Sequence, residues 1–219
     1  MKILAIEFSS PRRSTAALCE GRLCAQSFSD APKASVPQQV EHTLREAGWQ
    51  PAQVHAIAIG IGPGSYAGIR AAIAFAQGWQ LVRPIRLLGI SSAEVIAATA
   101  HASGTRGPCT VLIDAQRGEF YRAEYELDEA GTRLTLPLSI VSATEASAAL
   151  ATTKGLCPDT ATLVDRCQPI FPDAAMLARL AAARLAAADV STPDETLEPI
   201  YLRAAQFATV PLATPPRVL

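Results

Sequence analysis

The sequence predicts an α/β fold of two lobes, the second smaller than the first. Three observations predict it. A short apolar run from Lys2 to Phe8 opens the chain and leads at once into a hairpin pattern. Helix and strand patterns then alternate as far as Ala100, the order expected where helices cover a sheet. After Gly104 to Pro108, a stretch of small, polar and turn-forming residues, three strand patterns recur in the opening arrangement. The limits that follow are 1–104 for the first lobe, 105–203 for the reduced second lobe and 204–219 for a tail. No residue-level repeat accompanies the duplicated βββαβα pattern.

Lys2 to Phe8 reads as a buried strand closed by Ser9-Ser10-Pro11. Ser14 to Cys19 and Arg22 to Phe28 flank the tight turn Glu20-Gly21 and continue that sheet. From Pro37 to Ala47, Val40, Leu44 and Ala47 recur at helical spacing before the stop at Gly48. Val54 to Ile61 is a second buried strand. Gly62-Pro63-Gly64 breaks it, and Ser65 stands at the N-cap of a helix from Tyr66 to Leu81. Ile85 to Ile90 resumes the strand pattern, and Ser91 or Ser92 caps a third helix to about Ala100, with Glu94 near its positive end. In the second half, Cys109 to Asp114, Phe120 to Leu127 and Leu134 to Val141 read as strands, with turns at Arg117-Gly118 and Glu129-Ala130-Gly131. A helix over Glu145 to Ala151, a short strand over Thr162 to Val164 and an alanine-rich helix over Asp173 to Ala188 complete the pattern. The tail with Pro215-Pro216 is expected to be disordered.

Charge narrows the function classes. The 219 residues carry 19 Lys and Arg against 20 Asp and Glu, so no broad basic field exists to grip a phosphate backbone unaided. The five cysteines, an odd number without a CxxC pair, fit a reducing cytosol. Glu7 interrupts the apolar start too soon for a signal-peptide core or a spanning helix, so a cytoplasmic, non-membrane protein is expected.

Gly60-Ile61-Gly62-Pro63-Gly64-Ser65-Tyr66-Ala67-Gly68-Ile69-Arg70 is the most informative segment. A glycine turn entering a helix can hold phosphate on free N–H groups. This one lacks the lysine of a P-loop, and the strand that follows closes without the acidic residue of a dinucleotide site. Gly62, Pro63, Gly64 and Ser65 therefore read first as a structural turn. The helix beyond it is unusual, because Arg70 is its only formal charge and small residues surround the cylinder. Ile69, Ile73 and Ala76 can bury against the sheet, while Tyr66, Ala74, Gln77 and Leu81 have no evident cover within so small a lobe. A second polypeptide could lie there, since small side chains allow close helix approach. His42, His55 and His101 form no i, i+3 or i, i+4 pair, so no metal site is expected. No Gly-x-Ser-x-Gly surrounds Ser65 and no local signature marks a reactive cysteine, so no catalytic residue is assigned.

Five blocks carry a resemblance. Lys2-Ile3-Leu4-Ala5-Ile6-Glu7, the 60–70 segment, Leu88-Gly89-Ile90-Ser91-Ser92, Ile113-Asp114-Ala115-Gln116-Arg117-Gly118-Glu119-Phe120-Tyr121 and Pro199-Ile200-Tyr201-Leu202-Arg203 resemble the TsaB (YeaZ) family in content, order and spacing. The resemblance implies a two-lobed fold of the actin-like, sugar-kinase-like and Hsp70-like (ASKHA) type. It implies a non-catalytic scaffold or activating subunit for N6-threonylcarbamoylation of adenosine 37 in tRNA, paired with the catalytic paralogue TsaD. The ATPase subunit TsaE would join through the complex, tRNA would be met only indirectly, and a homodimer could form alone. No cofactor is implied. The docking surface it implies falls on Val40, Leu44, Tyr66, Ile69, Arg70, Ile73, Ala74 and Gln77. Glu7, Ser9 and Asp114 mark where actin-like and sugar-kinase-like folds hold phosphate and metal, here expected as a vestigial cleft. Glu7 stands where the family usually has Asp, Tyr66-Ala67 where it has Phe-Thr, and Ala34 to Gln39 where a His-Ser-Gln-like start is usual. The rival reading is a small ATP-binding phosphotransferase or ATPase of the same superfold.

Overall fold

The computed structural model describes residues 1–31, 34–158, 166–187 and 197–202. The first unit runs β1 (Lys2–Glu7), β2 (Arg13–Cys19), β3 (Arg22–Ser29), α1 (Val36–Glu46), β4 (Ala56–Gly60), α2 (Tyr66–Val82), β5 (Arg86–Ile90) and α3 (Ser92–Ala102). The second runs β6 (Gly107–Asp114), β7 (Glu119–Asp128), β8 (Gly131–Ser142), α4 (Ala143–Ala149), β9 (Lys154–Cys157), β10 (Cys167–Pro169) and α5 (Ala174–Ala187). The expected strand over Thr162 to Val164 and the expected disordered tail lie outside the described residues.

Each unit builds a five-stranded sheet, ordered β3-β2-β1-β4-β5 and β8-β7-β6-β9-β10. The two orders are the same when β6 is set on β1. In both, an antiparallel meander supplies three strands and parallel pairing adds the other two. This is the duplicated two-lobed α/β architecture the sequence implied. The second unit is the reduced one: β9 has four residues and β10 three. Sequence reading missed β9 and β10, because Lys-Gly-Leu-Cys and Cys-Gln-Pro offer neither length nor β-branched residues.

β1 is apolar from Ile3 to Ile6 because both its faces are covered. Leu4, Ile6 and Phe8 pack with Val40, Leu44, Ile69 and Ile73 from α1 and α2. Ile3 and Ala5 turn to the opposite face and meet Ala174, Leu177, Ala178 and Ala181 of α5. Thus α5, which chain order places after the second sheet, docks on the first. Helix α3 makes the reverse exchange: Ala93, Ile96, Ala97 and Ala100 cover Cys109, Val111 and Leu127 of the second sheet. The two helices meet between the sheets, where Arg184 Nη2 donates to both carboxylate oxygens of Glu94 at 2.8 and 2.6 Å. Helix α4 starts earlier than the sequence indicated, at a capping box in which Ser142 Oγ accepts from Glu145 N–H and Glu145 accepts from Ser142 N–H.

Candidate functional site

Helix α2 divides into two faces. Ser65 caps it, its Oγ accepting from Gly68 N–H at 3.4 Å. The inner face buries Gly68, Ile69, Ala72, Ile73 and Ala76. Gly68 allows the closest approach: a Cβ there would sit 2.0 Å from the carbonyl oxygen of Phe8. The outer face stays open. Ala67, Ala71, Ala74, Gly78 and Leu81 are all exposed and recur at alternating steps of four and three, the spacing of a helix-pairing seam. Leu81 is 90% exposed and Tyr66 61%.

The residues expected on the docking surface therefore separate. Tyr66, Arg70, Ala74 and Gln77 lie on the open face. Val40, Leu44, Ile69 and Ile73 are buried in this chain's own core, because the inner sides of α1 and α2 must cover the first sheet. Sequence reading also missed a groove of about 610 Å³ between α1 and α2, lined by Leu44, Trp49, Phe75, Trp79 and Val82 together with Glu41, Arg45 and Arg83. Its signal was the placement of both tryptophans of the chain beside these two helices.

Between the lobes lies a cleft of about 660 Å³ that brings Ser9, Gly64, Ser65 and Asp114 together. Gly62 and Pro63 are buried behind it. The loops on its first-lobe side are laced to each other: Ser65 N–H donates to Ser9 O at 2.6 Å, and a Cβ on Gly64 would meet that same oxygen at 2.1 Å. With Ser65 N–H and Gly68 N–H both engaged, this helix start has fewer free donors for a phosphate. Asp114 is engaged as well. Its carboxylate accepts from Gln116 N–H at 2.7 Å and Gln116 Nε2 at 2.9 Å, steadying a turn where Gln116 and Arg117 take left-handed φ of 64° and 60°.

Glu7 does not reach the cleft. It is fully buried, with its oxygens accepting from Ser9 N–H at 2.8 Å and Ser92 Oγ at 3.1 Å. Burial raises its pKa, opposed by the hydrogen bonds from Ser9 and Ser92. Burial likewise pushes the Cys109 and Cys167 thiols up to about 11, so both stay protonated and poorly nucleophilic at neutral pH. Among the described residues, no three His, Cys, Asp or Glu side chains are gathered as a metal ion would need.

Residues 29–151 match the family model described as "TsaD: tRNA N6-adenosine threonylcarbamoyltransferase". The chain is 33% identical over 134 residues to the tRNA threonylcarbamoyladenosine biosynthesis protein TsaB of Escherichia coli (strain K12), across 60% of this chain and 58% of that one. It is 31% identical over 132 residues to the protein of the same description from Bacillus subtilis (strain 168), across 58% and 56%. The structure of YeaZ from Pseudomonas aeruginosa superposes with a TM-score of 0.77 at 27% identity, covering 92% of this chain and 99% of that chain. The chain belongs to the TsaB/YeaZ family. Its match spans less than two thirds of the length of the two curated relatives.

The blocks that carry the TsaB/YeaZ resemblance converge in space. Ile61 N–H donates to Ile90 O at 3.0 Å, Ser92 N–H to Gly62 O at 2.8 Å and Ile200 N–H to Ile61 O at 2.9 Å. Tyr201 rests against Tyr66, with ring centroids 5.5 Å apart. Arg203 of the last block lies outside the described residues. The family blocks thus surround the start of α2, the point from which the open face runs.

Proposed function

We propose that this chain is a non-catalytic scaffold or activating subunit in the formation of N6-threonylcarbamoyladenosine at position 37 of tRNA, and that it acts in the cytosol by docking the catalytic paralogue TsaD. The observation that carries this reading is the open face of α2, a stripe of Ala67, Ala71, Ala74 and Gly78 that remains exposed. Isolated exposed alanines need no explanation, but a seam of them ending in Leu81 is suited to a close helix-on-helix contact. The neighbouring α1–α2 groove extends the apolar surface. TsaE joins this assembly through the complex and tRNA is met through it, in keeping with a net charge of -1. In the absence of TsaD the same face supports a homodimer. Glu7, withdrawn from the cleft, supports a scaffold over an ATP-using enzyme.

Reconstitution tests the proposal. The purified chain alone should leave tRNA unmodified and should restore modification when added to TsaD and the remaining components. Ala74→Glu should abolish that restoration. Position 74 is exposed, so the variant folds, but a charge buried unpaired in the contact weakens association by several kcal/mol, on the order of a hundredfold or more in Kd. Full restoration by a folded Ala74→Glu variant would move the docking surface elsewhere.

A further inference from the structure

The α2 stripe is too small to be a whole interface. A helix of 17 residues is roughly 25 Å long, and a strip about 10 Å wide along it offers on the order of 250 Å². A specific, stable contact takes about 800 Å² from each partner. The remainder has to come from surface adjoining the stripe. The α1–α2 groove supplies some beside the C-terminal part of α2.

At the N-terminal end the adjoining surface comes from a different part of the chain. Residues 197–202 return to the first lobe, where Leu197 is buried in its core and Ile200 N–H bonds Ile61 O. This strap delivers Tyr201 and Leu202 to the start of α2. Tyr201 packs on Tyr66 with the rings inclined at 31°. The guanidinium of Arg70 lies 5.2 Å from the centre of the Tyr66 ring and donates to Tyr66 Oη at 3.1 Å. The cluster still faces outward, with Tyr201 45% and Leu202 42% exposed.

Two tyrosines and an arginine held together by stacking and a hydrogen bond have the composition of strongly binding points at interfaces. Because they already restrain each other, less side-chain freedom is lost on association. We propose that Tyr201 and Leu202 form, with Tyr66 and Arg70, a second contact region of the docking face, so that the catalytic partner is received by two separate stretches of chain. This rests on the reading that α2 receives that partner. The strap gives the second lobe's end of the chain a direct part in recognition by the first.

The test is the Kd for purified TsaD of the full-length chain and of three variants. Ala74→Glu examines the α2 reading itself. Tyr201→Ala and Leu202→Glu examine the strap; Leu197 is left intact in both so that the anchor stays, and Leu202→Glu keeps the tyrosine stack. The expected result is loss of binding for Ala74→Glu and a weakening of tenfold or more for each strap variant, with thermal midpoints unchanged. Loss with Ala74→Glu but strap variants within twofold of the parent chain would overturn the strap and leave the α2 reading standing. Unchanged binding by Ala74→Glu would remove the α2 reading and the strap with it. If Tyr201→Ala fails to fold, Leu202→Glu alone decides.

Discussion

Glu7 ends β1 with its carboxylate turned under the sheet, because Gly60 on the neighbouring strand leaves the room. A Cβ at position 60 would lie 2.0 Å from a Glu7 oxygen. The carboxylate joins the loop after β1 to Ser92 at the start of α3, so an acid placed by the sequence at a cleft serves as a tie instead. Burial, the largest influence, raises its pKa above the ordinary value of 4.5, and nearby Asp173 adds to the rise. Between the unfolded and folded pKa values the folded chain therefore holds a proton that the unfolded chain has released. Stability linked to Glu7 is complete below the unfolded pKa and is lost as pH rises through the folded one. Glu7→Gln keeps the size and an acceptor for Ser9 N–H without the charge. Its stability relative to the parent chain should improve as pH rises above the ordinary carboxylate value and converge with it below that value. Denaturant midpoints on both sides of that value measure it, and a flat difference would refute the raised pKa. At this scale the sequence disclosed that an acid ends the strand. Its direction depended on the missing side chain at Gly60, a residue distant in sequence, and could not be read.

Helix α2 shows what element-level patterning reveals and where it stops. Its lack of charge predicts an unusual surface and the spacing predicts Ile69, Ile73 and Ala76 against the sheet, where they lie, although the family resemblance also sets Ile69 and Ile73 on the docking surface. The family resemblance sets Val40 and Leu44 of α1 on the docking surface as well. Their side of α1 packs on the sheet while its edge lines the α1–α2 groove, and α1 presents Glu41, His42, Arg45 and Glu46 outward. Gly78 adds an observation about α2. A Cβ there would meet nothing within 4 Å, so nothing inside the chain requires glycine. Glycine in a helix interior is less stable than alanine by about 0.5–1 kcal/mol. Gly78→Ala should therefore stabilise the isolated chain by about that amount while weakening its association with TsaD, through the added methyl at the closest point of the seam. Thermal unfolding of the free protein and a binding titration read the two effects separately. Stabilisation with unaltered binding would place the seam away from position 78.

The whole molecule is two copies of one sheet held by exchanged helices. Sequence patterning exposed the meanders and the helix-strand alternation, since those depend on local periodicity. It could not assign α5 to the first sheet or α3 to the second, because an alanine-rich helix fits either surface and only tertiary packing chooses. That exchange has a thermodynamic consequence. Removing the second unit would strip α5 from Ile3, Ala5 and Ala58, and removing the first would strip α3 from Val111 and Leu127. Each sheet would then lose the cover of one of its two faces, so the lobes should unfold together even though each has its own hydrogen-bonded strands. Calorimetry of the full chain should give a single transition with calorimetric and van't Hoff enthalpies in agreement. Leu177→Asp, which puts a charge under the first sheet from a helix that follows the second, should lower the stability of β1 and β6 alike in hydrogen exchange. Two resolved transitions, or protection lost only around β1, would mean that the exchanged helices do not couple the lobes.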